Sequence, residues 1–146
     1  METVTEENFR LVSRISGEVL AARAKGRPIT KEQYLFHCVN SLLLEVGSGA
    51  SFEQYFRWAR LEEIANIVGR LESLGLSEAA EIVREAISVA YPDGLPPIPN
   101  DKKSLASWGG SEEQNARLRE LAEKFLEEYD GMITNSLANY ARRVWG

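Results

Sequence analysis

Hydrophobic residues recur every three or four positions along most of the chain, and no stretch shows the strict alternation of a half-buried strand. This spacing predicts amphipathic helices. A residue that can cap a helix precedes several of these runs: Thr5, Thr30, Ser51, Ser77 and Ser111. Thr30, Ser51 and Ser111 are each followed three residues later by glutamine, as in a capping box. The pattern therefore predicts an all-α fold, a single-domain helical bundle of about six or seven helices over residues 1–146.

Glycine and proline mark the predicted ends of these helices. Gly26-Arg27-Pro28 should end the first helix, and Gly47-Ser48-Gly49 should break the second. Leu74-Gly75 is typical of a helix exit, and Tyr91-Pro92 cannot continue a helix. In the last helix, Asp130-Gly131 is a candidate break or kink. The long irregular segment 91–110 that remains is then either functional or a connector.

The apolar stripes also predict which side chains form the core. On the first helix Phe9, Val12, Ser16, Val19 and Leu20 lie at helical spacing. In the short aromatic segment 52–58, Phe52, Tyr55 and Phe56 share one face with Ala59, whereas Trp58 falls outside it. Core packing is therefore the favoured interpretation of these aromatic residues, with Trp58 partly exposed.

Length and composition are those of a globular protein. The chain has 146 residues, of which 44% are hydrophobic, enough for one domain with its own core. Its net charge of −5 argues against direct binding to nucleic acid or to anionic membranes. No apolar run approaches the length of a membrane span. A single cysteine, Cys38, and an acidic start unlike a secretory leader predict a cytoplasmic protein.

Candidate chemistry is sparse. His37 and Cys38 are the only histidine and the only cysteine. Because neighbours on a helix point about 100° apart, they are not expected to form a nucleophilic pair. A metal site would need further His or Cys ligands, and no phosphate-binding or hydrolase motif is present. We therefore expect no enzyme activity, no cofactor and no metal. The alternative of an unrecognised hydrolase would require a polar pocket around His37 or Tyr55.

Two rows of acidic residues follow helix faces at spacings of three and four. At such spacings the Cβ atoms lie about 5–6 Å apart, in the range of phosphate separations along a nucleic-acid strand. Interspersed arginines and a lysine leave open the alternative of ordinary solvated helix faces. The candidate partner-binding residues are Glu78, Glu81 and Glu85 in the first row, and Glu120, Glu123, Glu127 and Asp130 in the second.

Three modest motifs occur in a recognisable order. Residues 43–56 run from a helix ending in Glu45 through a Gly-rich turn into Phe52-Glu53-Gln54-Tyr55-Phe56. The segment 71–80 contains Leu74-Gly75, and residues 86–92 end in Tyr91-Pro92. Together they resemble a bacterial domain family of largely unknown function that includes a DNA-mimic protein, over roughly residues 35–145. The resemblance implies an all-helical fold, dimerisation and a mimic role.

Two hypotheses follow for the function. The first is a non-enzymatic interaction protein that acts as a DNA mimic, binding a basic DNA-binding regulator through the acidic rows. The second is an immunity- or inhibitor-type protein that covers one specific partner with a shaped surface. In that case loop 91–110, with Trp108 as its aromatic anchor, would carry the contact. For a homodimer, the C-terminal Tyr140, Val144 and Trp145 are the predicted apolar contact.

Overall fold

The computed structural model describes residues 2–100 and 104–146, which include all of the predicted loop 91–110 except residues 101–103. In these ranges the chain forms six α-helices, and a single antiparallel bridge joins Arg60 to Leu105. The all-α prediction is therefore confirmed. The helices are α1 Glu6–Ala24, α2 Lys31–Gly49, α3 Glu53–Trp58, α4 Leu61–Ser73, α5 Ser77–Ala90 and α6 Glu112–Trp145.

Three of the predicted caps form as expected. The Thr5 side chain accepts a hydrogen bond from the backbone N–H of Asn8 at the start of α1. Thr30 and Gln33 form a complete capping box on α2, with distances of 3.1 and 2.8 Å. Ser111 and Gln114 repeat it on α6. These ends are set by local sequence because each cap satisfies backbone donors that the helix itself leaves unpaired.

Two other predicted caps are wrong. Helix α5 has Leu76 at its N-cap, without a side-chain hydrogen bond, and Ser77 is already its first helical residue. Helix α3 begins at Glu53 rather than Phe52. The Ser51 hydroxyl does accept from the Glu53 N–H at 3.2 Å, but Gln54 donates to Glu45 at 2.6 Å instead of completing a box. The side chain of Gln54, which the capping box would use, is engaged in this hydrogen bond with Glu45.

The Gly47-Ser48-Gly49 turn does not interrupt α2, which continues to Gly49. The chain reverses one residue later, where Ala50 adopts a left-handed conformation with φ of 50°. The helix therefore ends at the last residue of the predicted stretch rather than at its first. The packing of Val46 in the core and the approach of Leu126 to Gly47 hold this last turn in the helix.

Helix α6 is continuous through Asp130-Gly131, so the candidate break or kink there is also wrong. The glycine has a different role. The N-terminal segment crosses α6 at this point, and a Cβ atom on Gly131 would lie only 2.1 Å from the carbonyl oxygen of Glu2. Asn135, one turn further along, donates to the side chain of Glu2 and to the carbonyl of Thr3 at 2.7 and 3.0 Å.

The 34-residue α6 is the element on which most others pack, since it contacts α1, α2, α3 and α5. Phe125 packs against Phe52 from the α3 side, and Trp145 meets Phe36 of α2. The aromatic residues predicted for the core, Phe52, Tyr55 and Phe56, are fully buried. In the described ranges, none of the helices has both the length and the apolar composition needed to cross a membrane.

Candidate partner-binding surface

Helices α5 and α6 pack against each other, which brings the two predicted acidic rows onto neighbouring helices. All seven side chains of the rows belong to exposed residues. The two helices are joined near the rows by the Tyr129 hydroxyl, which donates to the Glu78 carboxylate at 3.1 Å. Burial, followed by this hydrogen bond, raises the pKa of Tyr129 to about 12. The phenol therefore stays protonated and acts as a donor.

Arginines within the chain neutralise part of this acidic surface. Arg117 contacts Glu85 at 2.5 Å and Glu120 at 3.0 Å, so it links the two helices. Arg84 pairs with Glu81 and lies 3.5 Å from Glu72. Exposed ion pairs of this kind add little stability. They do weaken the binding of a partner's cation to these carboxylates, because that cation would have to share the carboxylate with the internal arginine or displace it.

The remaining carboxylates of α6 differ in this respect. Glu123, Glu127 and Asp130 form no ion pair with any residue in the described ranges. They are spaced i, i+4, i+7 on one exposed face. Phe125 and Tyr129, on the opposite side of the helix, are buried and fix the direction of that face. We call these three side chains the α6 carboxylate row.

Trp108 is a core residue in this structure. Its side chain is only 8% exposed, its indole N–H donates to the Ala90 carbonyl at 2.8 Å, and its ring lies 6.0 Å from that of Phe56. The backbone beside it is tied down as well, since the N–H of Trp108 bonds to Phe56 and that of Ala106 to Ala59. The part of loop 91–110 that carries Trp108 is therefore built onto α3, and its indole is engaged within the chain.

Helices α1 and α2 carry an exposed apolar surface. Phe9, Leu20 and Leu44 are 62%, 51% and 59% exposed, although Phe9 and Leu20 share the helical spacing of Val12 and Val19. Val12, Ile15 and Val19 form the buried stripe of α1, and Phe9 and Leu20 belong to the neighbouring stripe. They line a groove of about 840 Å³ between α1, α2 and α6, with Asp130 of the α6 carboxylate row among its lining residues.

The His37–Cys38 pair behaves as expected for neighbours on a helix. The Cys38 thiol is buried, and burial together with the nearby Glu63 raises its pKa to about 12. Burial, Arg23 and Arg60 lower the pKa of His37 to about 4, so the imidazole is neutral near pH 7. His37 lines a small polar pocket of about 230 Å³ to which Cys38 does not contribute. Residues 2–100 and 104–146 contain no cluster of three or more potential metal ligands.

Comparison with known proteins gives one finding. Searches of curated proteins and of solved structures returned no match to this chain. A family model described as DMP19-like protein matches residues 27–144, which is most of the chain and nearly all of the region 35–145 expected from the sequence motifs. This family is one of DNA-mimic proteins, whose role is protein interaction. The chain therefore belongs to the DMP19-like protein family.

Proposed function

We propose that this protein is a non-enzymatic DNA mimic that binds a basic DNA-binding regulator through the α6 carboxylate row. The observation that carries the proposal is the absence of internal ion pairs at Glu123, Glu127 and Asp130 within the described part of the chain. Lysine or arginine side chains that normally contact phosphates could pair with these carboxylates without displacing an internal cation.

The carboxylates that are paired with Arg84 or Arg117 have a secondary role in this proposal. Glu81, Glu85 and Glu120 contribute to the negative potential that attracts a basic partner over distance. Close contacts would come mainly from the α6 carboxylate row. This division explains how a protein with a net charge of only −5 can present a local pattern of negative charge.

The alternative of an inhibitor-type protein acting through loop 91–110 has less support. Its proposed aromatic anchor, Trp108, is already packed on Phe56 and hydrogen-bonded to Ala90. Only exposed parts of the loop, such as Ile98, would be available to a partner without rearrangement. Membership of a DNA-mimic family instead supports the acidic surface as the partner-binding site.

The mimic proposal predicts that a captured partner is competed by DNA. The protein is immobilised, exposed to an extract of its own organism, and eluted by increasing salt. We expect a basic DNA-binding protein that is released at moderate salt, because screened charge contacts weaken as ionic strength rises. The purified partner should also be displaced by duplex DNA carrying its binding site. A partner that resists high salt and ignores DNA would contradict the mimic role and support the shaped-surface alternative.

We also propose that the protein forms a homodimer through the α1 and α2 side of the apolar groove, an arrangement that leaves Asp130, on the α6 side, to the basic partner. Phe9, Leu20 and Leu44 expose large apolar surfaces around one groove. A two-fold interface uses the same patch on both copies, so an apolar, largely uncharged patch suits self-association. Of the C-terminal residues predicted for this contact, Tyr140 is buried and Trp145 packs on Phe36 and Tyr140, while Val144 and Trp145 stay 37% and 39% exposed.

For the dimer, Leu44→Glu is expected to halve the mass measured by light scattering, from about twice 16.4 kDa to the mass of one chain. Leu44 is exposed, so the change should leave the helical circular dichroism spectrum unchanged. Ile98→Glu, at an exposed position outside the groove, is the matched control and should remain dimeric. A wild-type protein that is monomeric, or a Leu44→Glu variant that stays dimeric, would refute this interface.

A further inference from the structure

We propose that the polar pocket around His37 is a binding site for a small molecule carrying a carboxylate or phosphate group. The pocket lies on the side of the bundle formed by α2, α3 and the start of α4. It does not include any residue of the α6 carboxylate row, so it is independent of the proposed mimic function. Its volume of about 230 Å³ suits a small metabolite rather than a peptide.

Side chains from three helices and from the residue before a fourth converge on this pocket. His37 and Ser41 come from α2, Tyr55 from α3, Arg23 from the last turn of α1, and Arg60 immediately precedes α4. Trp58 and Leu105 complete the wall, and Trp58 is half exposed at its edge. A concave site in which a few polar groups converge between apolar walls is the usual form of a small-molecule site.

Tyr55, one of the lining residues, has a buried hydroxyl without a partner among the described residues. Its side chain is 1% exposed, and its hydroxyl forms no hydrogen bond with any residue that the structure describes. Leaving a buried hydroxyl unsatisfied costs about 1–3 kcal/mol, so such groups normally have a partner. Burial and the nearby Glu63 raise its pKa well above 10, so the hydroxyl is protonated and available as a donor.

The charges of the pocket decide which ligand it favours. Arg23 and Arg60 form no ion pair within residues 2–100 and 104–146. Two carboxylates also line the pocket: Glu45 accepts from Gln54 at 2.6 Å, and Glu63 accepts from the backbone of Arg60 and lies close enough to Arg60 and Arg23 for their charges to lower its pKa. Neither guanidinium is held in an ion pair, so both can contact an oxyanion, and guanidinium geometry matches carboxylate and phosphate.

The geometry supports binding rather than catalysis. The Ser41 hydroxyl lies 3.5 Å from Nε2 of His37, at the outer limit of a hydrogen bond. Among the described residues no carboxylate hydrogen-bonds to His37 to orient it as a general base. The neutral imidazole and the serine hydroxyl instead provide hydrogen-bonding groups beside the two arginines.

The test uses inorganic phosphate and succinate as separate probes of the full-length protein, each titrated while the imidazole signals of His37 are followed by NMR. His37 is the only histidine, so its signals are unambiguous. We expect a saturable shift with at least one probe, and a rise in the His37 pKa from about 4, because a bound anion stabilises the imidazolium. A response to phosphate alone would identify a phosphate ligand, and a response to succinate alone would identify a carboxylate. No saturable response to either probe would overturn the proposal.

Three variants complete the test. Arg60→Gln should weaken binding at least about tenfold, the loss of one charged contact, whereas Arg57→Gln, outside the pocket, should bind like the wild type. Tyr55→Phe removes the unsatisfied hydroxyl, so its thermal stability without ligand should be unchanged or higher, while the response to the probe falls. Equal binding by all variants would overturn the site. Partner capture should be unaffected in each of them, which separates this test from that of the mimic function.

Discussion

Replacing Glu123, Glu127 and Asp130 together by their amides (E123Q, E127Q, D130N) is expected to lower the affinity for the basic partner at least about 100-fold. A hydrogen bond to a charged group contributes about 1.5–3 kcal/mol, and each 1.4 kcal/mol corresponds to a factor of ten. Three such contacts would exceed 100-fold even if they are not additive. The residues are exposed and the amides have nearly the same shape, so the fold should be retained. Isothermal titration calorimetry with the purified partner measures the change.

A matched control separates the charge pattern from the net charge. The variant E81Q/E85Q/E120Q removes the same number of negative charges from carboxylates that are already paired with Arg84 or Arg117. We expect its affinity for the partner to fall less than about tenfold. Exposed ion pairs contribute at most about 1 kcal/mol each, and salt screens the longer-range attraction that these three charges add. Equal losses in the two triple variants would mean that the partner senses total charge only, and would contradict the assignment to the α6 carboxylate row.

Trp108→Ala is expected to destabilise the protein by about 3–5 kcal/mol, the usual cost of removing a large aromatic side chain from a core. The variant loses the hydrogen bond to Ala90 and the contact with Phe56, which together hold this part of loop 91–110 against α3. In a domain of this size the midpoint of thermal unfolding should fall by roughly 10 °C or more. Circular dichroism during heating and urea titration provide the measurement.

Trp58→Ala is the control for this prediction, because Trp58 is 54% exposed whereas Trp108 is 8% exposed. A surface substitution of this kind should change stability by less than about 0.5–1 kcal/mol. The opposite result would be informative. If Trp108→Ala keeps its stability but loses partner binding, the indole would be a surface anchor in solution, and the inhibitor-type function would replace the mimic.

The sequence was sufficient where structure depends on neighbouring residues. Thr5, Thr30 and Ser111 cap helices because each bonds to an N–H only three residues away. The aromatic stripe of Phe52 and Phe56 points to the core because the segment is a helix with one apolar face. These features require no knowledge of what packs against them.

The errors occur where distant segments meet. The Asp130-Gly131 pair resembles a helix break, but the glycine is there because the N-terminal segment crosses α6 at Glu2. On α1, both apolar stripes fit a helical period, and only the positions of α2 and α6 decide which one is buried. Ser51 and Gln54 lost their capping box to Glu45 for the same reason.

The candidate site was predictable only in part. Spacing located both acidic rows, since periodicity along one helix is visible in the sequence. The pairing of Arg117 with Glu85, 32 residues away, was not visible, and it is this pairing that distinguishes the α6 carboxylate row from its neighbours. Likewise, Arg23, His37 and Tyr55 come from three different helices and Arg60 immediately precedes α4, so the polar pocket has no signature along the chain.

The continuity of α6 makes recognition dependent on folding. An unfolded chain would have the same charge as the native protein, but its carboxylates would have no fixed separation. In the native state the separation of Glu123 and Asp130 is set by α6, which rises about 1.5 Å per residue. Packing against α1, α2, α3 and α5 keeps this helix in place. The entropy of arranging these charges is lost during folding rather than during binding, which favours affinity. A partner that reads this spacing therefore distinguishes the folded protein from any merely acidic polypeptide.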